Sequence, residues 1–501
     1  MSVELQPGRR SRLLGALAPL AGAFLLRGFT VDDALITCRY AHNLATGAGY
    51  VFNKGGPSTD GVTPLGFAYL LAPFARTSAL DALVAAKILG LLAHVVGSIF
   101  ITRAVAARGS SWLRWSGPVV FWVSAPAAAW AVSGMETGLV AALFAIAASL
   151  RLEGKRERIA LTLVGLAAGL RPETLPLAVV LGVPAATGPR DANPREVRAD
   201  LDAGEVFAPR PRLLELAHGL RLLAVSAPFV AVATLRALVF GRPAPLSALA
   251  KPAEPSLGFV YAGACLLLTG FVLLAAPLAA RRMARYAKWL LAALATHALA
   301  ISLAGGDWMP LSRLFVAALP VLALAGAEVA EASHPSAAAA RAALALAGEL
   351  WAWWTTGEKA ARVGRDREAL IAELRGPLSE ARVIASIDIG WVGAAAPDAT
   401  IVDLAGVTDP EIARLPGRHI EKKIPDDLLE ERGVDTLVLL LYKDQPLAEP
   451  WSRSTFGRGI EMYIATAPGL ADRSEPERVT EGRLRYVLLR RKQRAAERPA
   501  E

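Results

Sequence analysis

Two adjacent carboxylates, Asp32 and Asp33, stand just beyond the first apolar stretch, in the run Thr30-Val31-Asp32-Asp33-Ala34-Leu35-Ile36-Thr37-Cys38-Arg39-Tyr40. Consecutive residues on a helix or strand point in different directions, so the two acids need not share a task. One could face a cavity as a general base while the other holds a cation or an acceptor hydroxyl. A carboxylate in low-dielectric surroundings has a raised pKa, which suits a base. The alternative is structural: a helix N-cap, with the second acid favoured by the helix dipole. Arg39 could neutralise either acid and would then weaken it as a base. Lys54 lies in the turn-rich stretch 47–57 and could meet an anionic headgroup, or be a solvated turn residue.

His94 and His297 fall inside apolar stretches and read as packing residues. There is no HExxH, no paired CxxC and no P-loop. No cofactor is evident. One carboxylate pair without histidine is a poor metal signature, although Mg²⁺ or Mn²⁺ sites can be that sparse.

The elements that must position these residues are mostly apolar. Of 501 residues, 54% are hydrophobic and 20% charged, which excludes a disordered chain and argues against a purely soluble enzyme. Two cysteines exclude a disulfide scaffold. The formal charge of +9 fits basic cytoplasmic loops of a membrane protein. No Lys/Arg stripe alternates with aromatics, so no nucleic-acid partner is expected.

Residues 257–280 contain no charge over 24 positions and 115–135 none over 21, each enough for a membrane span of about 20 residues. Less perfect candidates are 13–28, 82–106, 137–150, 159–170, 173–187, 213–240, 289–304 and 312–330. The positive-inside rule puts the basic loops 103–114, 151–158, 188–212 and 281–288 in the cytoplasm. That assignment requires 62–77 not to complete a crossing. It then faces 29–61, 133–137, 171–173, 246–251 and 305–311 outward.

The tail from about 360 is charged and reads as small α/β. Helices are expected at 365–376, 408–415 and 424–433, and strands at 381–388, 399–404, 434–441 and 483–490. Asp388, Asp403, Asp409 and His419 fall near strand ends, where ligands of α/β folds gather; Asp409 before Pro410 also reads as a helix N-cap. The expected organisation is a transmembrane domain over 1–335, a spanning or interfacial helix over 336–360, and a soluble α/β domain over 361–501.

The segment DDALITCRYAHNLATGAGYVFN, with the following DGVTPLGFAYLLAPF, resembles the N-terminal signature of GT-C glycosyltransferases. The nearest branch is the mycobacterial terminal arabinofuranosyltransferases and their bacterial relatives. SGMETGL at 133–139, LRPETLPLA at 170–178, GGDWMPLSRLFVAALP at 305–320 and IVDLAGVTDPEIAR at 401–414 match in the same order. The chain departs from the pattern at Val62 and Gly66, and only Pro245, Ala250 and Lys251 survive of a further element.

The resemblance implies a mainly α, polytopic GT-C fold of ten to twelve helices with the small C-terminal α/β domain. It implies a multi-pass protein of the inner (cytoplasmic) membrane whose catalytic loop faces the periplasm. Such an enzyme moves a monosaccharide from a polyprenyl-phosphate donor to an envelope glycan, lipid or protein acceptor. Its catalytic acid maps onto Asp32, with Asp33 orienting the acceptor or a cation. The leaving phosphate needs positive charge nearby, for which Arg171, Lys251 and Arg313 are the candidates. Glu136, Asp307, Trp308 and Lys54 are expected to contact substrate. The rivals are a flippase for a lipid-linked saccharide, which needs the groove but no base, and a non-catalytic envelope assembly protein.

Overall fold

The computed structural model describes residues 7–109, 111–183, 211–442, 455–466 and 473–492. The basic stretch 188–212 lies outside them except for its last two residues. A helical bundle reaches Ala352, and an α/β tail follows from Glu358.

Three helices, Ala79–Ala107, Ala217–Phe240 and Arg285–Leu303, are long and apolar enough to cross a membrane. The shorter apolar helices Thr137–Leu152 and Pro255–Leu268 pack against the first and third of them. The bundle's outer faces carry Leu17, Phe24, Ile88, Leu92, Val230, Leu238, Val260 and Leu267, all exposed. Large apolar side chains exposed in such number are at home in lipid.

Neither charge-free run forms one continuous span, contrary to expectation. The 115–135 run breaks at Ser124 between helices Ser116–Val123 and Ala125–Ala131, where the Ser124 hydroxyl accepts from the Ala127 N–H. In 257–280 the helix ends at Leu268, and Gly270 turns the chain at φ 81° into short 3-10 turns around Pro277. A left-handed glycine ends a helix, and proline cannot supply the next N–H. Apolar composition predicts burial; it does not guarantee helix continuity.

The two ends of the bundle carry different chemistry. At one end Arg103 meets Glu153 at 2.9 Å, Arg108 and Arg114 converge on Glu328 at 3.1 Å each, and Tyr286 donates to the Ala148 carbonyl at 2.9 Å. The basic loops 103–114, 151–158 and 281–288 therefore share that end. At the other end Arg236–Asp60, Arg171–Glu136 and Arg313–Asp33 join the loops around 29–63, 133–137, 171–173 and 305–313.

Segment 62–77 forms only the seven-residue helix Leu65–Leu71 and the three-residue turn Ala72–Phe74. At about 1.5 Å per residue it is too short to cross. It comes back to its own end, where the Ala75 carbonyl lies 2.7 Å from His42 Nδ1. The 18-residue helix Pro335–Ala352 starts beside Glu328 and Glu331 at the basic end and reaches the Ser124 break, where the Trp353 indole N–H donates to the Val123 carbonyl at 2.7 Å. The chain meets the other end further on, where the Gly364 N–H donates to the Gly28 carbonyl at 2.7 Å. A π-turn, Trp353–Gly357, carries it directly into helix Glu358–Leu378.

The tail sheet has the order β2-β1-β3-β5-β4. Its strands are β1 (Val383–Ser386), β2 (Thr400–Asp403), β3 (Thr436–Leu440), β4 (Ser474–Val479) and β5 (Tyr486–Arg491). The first three run parallel, and β5 and β4 are antiparallel additions. Four strands lie where the sequence pattern puts them. β4 (SEPERV) is an exposed edge with proline and charges, so it carries no apolar alternation to read.

Candidate active site

The helix Asp32–Ala45 starts with two acids in its first turn, which suits its dipole. Leu35, Ile36 and Tyr40 face a core shared with the tail, while Cys38 and Ala41 pack on Phe67 and Ala82 of the bundle. It is therefore a hinge plate between the two parts, and its polar residues divide accordingly.

Asp32 does not line the cavity expected of a catalytic base. Its carboxylate accepts the backbone N–H of Gly390 at 3.0 Å and of Trp391 at 2.8 Å, in the first turn of tail helix Ile389–Ala395. A side chain at Gly390 would put its Cβ 2.3 Å from the Asp32 carbonyl oxygen. Desolvation in this seam, then the charge of Asp388, push Asp32 up to about 8, against the pull of Gly390, Arg367 and Trp391. Burial also opposes charge on Asp388, but Arg458 and Arg367 outweigh it and hold that carboxyl below the usual range. Arg458 reaches Asp388 at 2.9 and 3.2 Å, and the Tyr486 hydroxyl donates to it as well.

Arg39 neutralises neither acid. It donates to the carbonyls of Phe52 (2.8 Å), Gly393 (2.9 Å) and Ala399 (2.8 Å). Asn53 pairs with the edge strand β2 as a strand would, exchanging 2.9 Å bonds with both the N–H and the carbonyl of Ile401. Lys54 also belongs to this seam: it meets Asp398 at 3.1 Å on an exposed surface, away from any candidate ligand. Much of the 30–54 motif is thus docking chemistry.

Asp33 lines a cavity of about 610 Å³ between the bundle end and the tail, together with Arg171, Lys251, Asp307, Trp308 and Arg313. The turn before Arg313 is strained. Gly305 and Gly306 adopt φ of 90° and 72°, and Leu311 and Ser312 also sit in the left-handed region at 57° and 51°. The Leu311 carbonyl is held by the Trp130 indole N–H at 2.9 Å. This turn sets Arg313 between two acids, 2.6 Å from Asp307 and 3.6 Å from Asp33.

Arg171 is buried between Glu136 at 2.8 Å and Glu173 at 2.6 Å. Glu136 is fully buried and does not line the cavity, so it positions Arg171 and does not touch a ligand. Lys251 has no carboxylate partner among the described residues; its ammonium lies 5.7 Å from the Trp308 ring centre. The tail adds Arg418, His419 and Glu421 to the cavity wall. Burial, then Lys251, lower His419 to about 4, so it is neutral near pH 7. Arg313 stands between Asp33 and Asp307. Among the described residues no group of three or more His, Cys, Asp or Glu could hold a metal ion.

Sequence reasoning missed the buried pair of Asp60 and Arg236, 2.9 Å apart, with Arg236 also donating to the Val62 carbonyl at 3.1 Å. The signal was present: a lone arginine in an apolar helix is costly unless paired. His94 and His297 pack as expected, on Phe121 and on the Leu314 carbonyl. Asp403 accepts the N–H groups of Ala405, Gly406 and Thr408, and Asp409 caps helix Pro410–Arg414.

Residues 358–481 match a family described as a domain of unknown function (DUF8728). Among solved structures, the chain is similar to the arabinosyltransferase EmbB from Mycobacterium smegmatis, determined by cryo-EM, at 14% identity and a TM-score of 0.40. The similarity covers 90% of this chain and 47% of that one, so the chain spans about half the length of that protein. A search of curated proteins finds no match.

Proposed function

We propose that this protein is a membrane glycosyltransferase that moves a monosaccharide from a polyprenyl-phosphate carrier to an envelope acceptor. The observation that carries the reading is the cavity at the tail-bearing end. It combines a carboxylate, Asp33, with a cation, Lys251, that no carboxylate among the described residues neutralises. The order of sequence motifs resembling GT-C enzymes supports it. The positive-inside rule orients the cavity outward, because the basic loops gather at the opposite end.

In the reaction an acceptor hydroxyl attacks the anomeric carbon of the donor sugar. Its proton passes to the Asp33 carboxylate as the new C–O bond forms. The bond between the sugar and the phosphate oxygen breaks, the electron pair stays on that oxygen, and polyprenyl phosphate leaves. Lys251 stabilises the charge gained by the phosphate. Arg171 is already flanked by Glu136 and Glu173, and Arg313 by Asp307 and Asp33. Their charges are mostly satisfied within the protein, so they shape the site and Lys251 is the phosphate ligand. Asp307, at 2.6 Å, takes most of the Arg313 charge, which leaves Asp33, at 3.6 Å, the looser partner and free to serve as the base. Asp32 is assigned to docking.

The flippase reading is less well supported, since Trp130, Phe144 and Phe315 are buried in the packed core of the bundle. The test is transfer by purified protein in nanodiscs, with radiolabelled polyprenyl-phosphate sugars and an envelope extract as acceptor. Wild type should transfer from at least one donor, and Lys251→Met should lose roughly 100-fold or more, the scale of removing one such electrostatic contact. Donor binding without transfer in wild type would favour the flippase.

A further inference from the structure

The site contains an aromatic platform whose role the reaction scheme does not use. Trp308 is 62% exposed although it sits in the wall of a cavity between two parts of the molecule. A lipid-interface anchor would face the bundle's apolar belt. Trp308 instead faces the tail, with the His419 ring 5.9 Å away at 36°, and Lys251 5.7 Å from its centre. An open indole flanked by a neutral imidazole and a cation is a carbohydrate platform. The apolar C–H face of a sugar stacks on the ring while hydroxyls bond the polar neighbours.

The neighbouring loop is built to hold His419 still. Lys422 buries its ammonium under the loop, donating to the carbonyls of Ala413 at 2.7 Å and Leu415 at 2.9 Å. The Ile420 carbonyl accepts from the Ile460 N–H at 2.9 Å, and the Arg418 carbonyl accepts from the Glu421 N–H at 2.8 Å. Arg418 crosses to the bundle and pairs with Glu254. Gly417, at φ 102°, provides the turn that leads into Arg418. A rigid loop makes a selective binding surface because little ordering remains to be done on binding.

From this arrangement we infer that Trp308 and His419 form the subsite for the ring of the transferred sugar, with His419, from the tail, reading its hydroxyl pattern. The commitment to the donor sugar comes from Lys251. A ring laid on Trp308 has its anomeric phosphate within reach of the ammonium on one side and its hydroxyls facing the imidazole on the other. A neutral imidazole both donates and accepts, so it can distinguish sugars that differ in a single hydroxyl. The inference rests on the glycosyl-transfer reading. It assigns the domain of unknown function a part in choosing the sugar.

The test measures equilibrium binding to nanodisc-embedded full-length protein of radiolabelled farnesyl phosphate and of farnesyl phosphate carrying arabinofuranose, mannose or glucose. Wild type should bind one sugar-bearing compound more tightly than farnesyl phosphate. In His419→Ala and in Trp308→Leu that advantage should fall roughly five- to tenfold, the loss of a hydrogen bond or a stacked face. Farnesyl phosphate itself should bind His419→Ala as it binds wild type, and melting temperatures report that both variants are folded. His419→Gln should recover part of the preference. Unchanged sugar ranking in both variants, or equal weakening of every ligand, would overturn the subsite alone. Wild type that binds none of the compounds would overturn the glycosyl-transfer reading and the subsite with it.

Discussion

Asp32 and Asp33 are neighbours on a helix, where consecutive side chains are turned by about 100°, and that rotation separates a docking residue from a catalytic candidate. Asp32→Ala should lower stability by about 1–2 kcal/mol, the scale of losing a cap that binds two N–H groups. Differential scanning fluorimetry would show it as a lower melting temperature. Lys54→Ala should leave both stability and transfer unchanged, since its exposed pair with Asp398 contributes at most a few tenths of a kcal/mol. Because burial and Lys251 keep His419 neutral down to about pH 4, sugar preference in binding should be constant from pH 8 to 5. It should fade only as the imidazole gains its proton near pH 4. Asp33 and Asp307 already share Arg313, at 3.6 and 2.6 Å, so transfer is expected to survive a chelator. The residue types were legible in the sequence. Which acid faces the cavity was not, because the partner that captures Asp32 lies 358 residues further along the chain.

At the scale of elements, the tail's parallel strands and helices were legible because short β-branched runs alternate with helical patterns. The bundle was legible as apolar but not as continuous helices, since Ser124 and Gly270 interrupt the runs that looked most like spans. The return loop 60–63 is held against the end of helix Pro211–Phe240 by the fully buried Asp60–Arg236 pair. Removing one partner leaves a buried charge uncompensated, so Arg236→Ala should cost about 3–5 kcal/mol. The double variant Asp60→Leu/Arg236→Met should recover much of that loss. Gly61 belongs to the same loop: a Cβ there would lie 2.6 Å from Thr408 and 2.7 Å from the Tyr40 hydroxyl. The loop, the Asp32–Ala45 helix and the tail therefore meet at a contact too close for any side chain.

Over the whole molecule, one end gathers the basic loops, and the other gathers the cavity and the tail. Since 62–77 turns back and the chain from Pro335 runs on through helix Glu358–Leu378 to meet Gly28 at Gly364, Lys54 and Asp398 lie at one end and Lys155 at the other. Cysteines placed at Asp398 and Lys155 in intact cells should react with a membrane-impermeant maleimide at 398 only, and at 155 only after permeabilisation. Reversed labelling would invert the orientation. The positive-inside rule foresaw this grouping of loops because it counts charge, which survives the broken helices. It could not foresee that the tail would form one wall of the cavity, because that depends on contacts between segments hundreds of residues apart.

The central claim is that Asp33, and not Asp32, is the base of a sugar transfer in this cavity. The most direct measurement is initial-rate transfer from polyprenyl-phosphate sugars by wild type, Asp32→Asn and Asp33→Asn in parallel, with melting temperatures confirming fold. The account predicts that Asp33→Asn loses roughly 100- to 10,000-fold, the usual worth of a positioned base. Asp32→Asn should stay within about tenfold of wild type, since its contribution is to docking. A collapse confined to Asp32→Asn, with Asp33→Asn near wild type and both proteins folded, would contradict it.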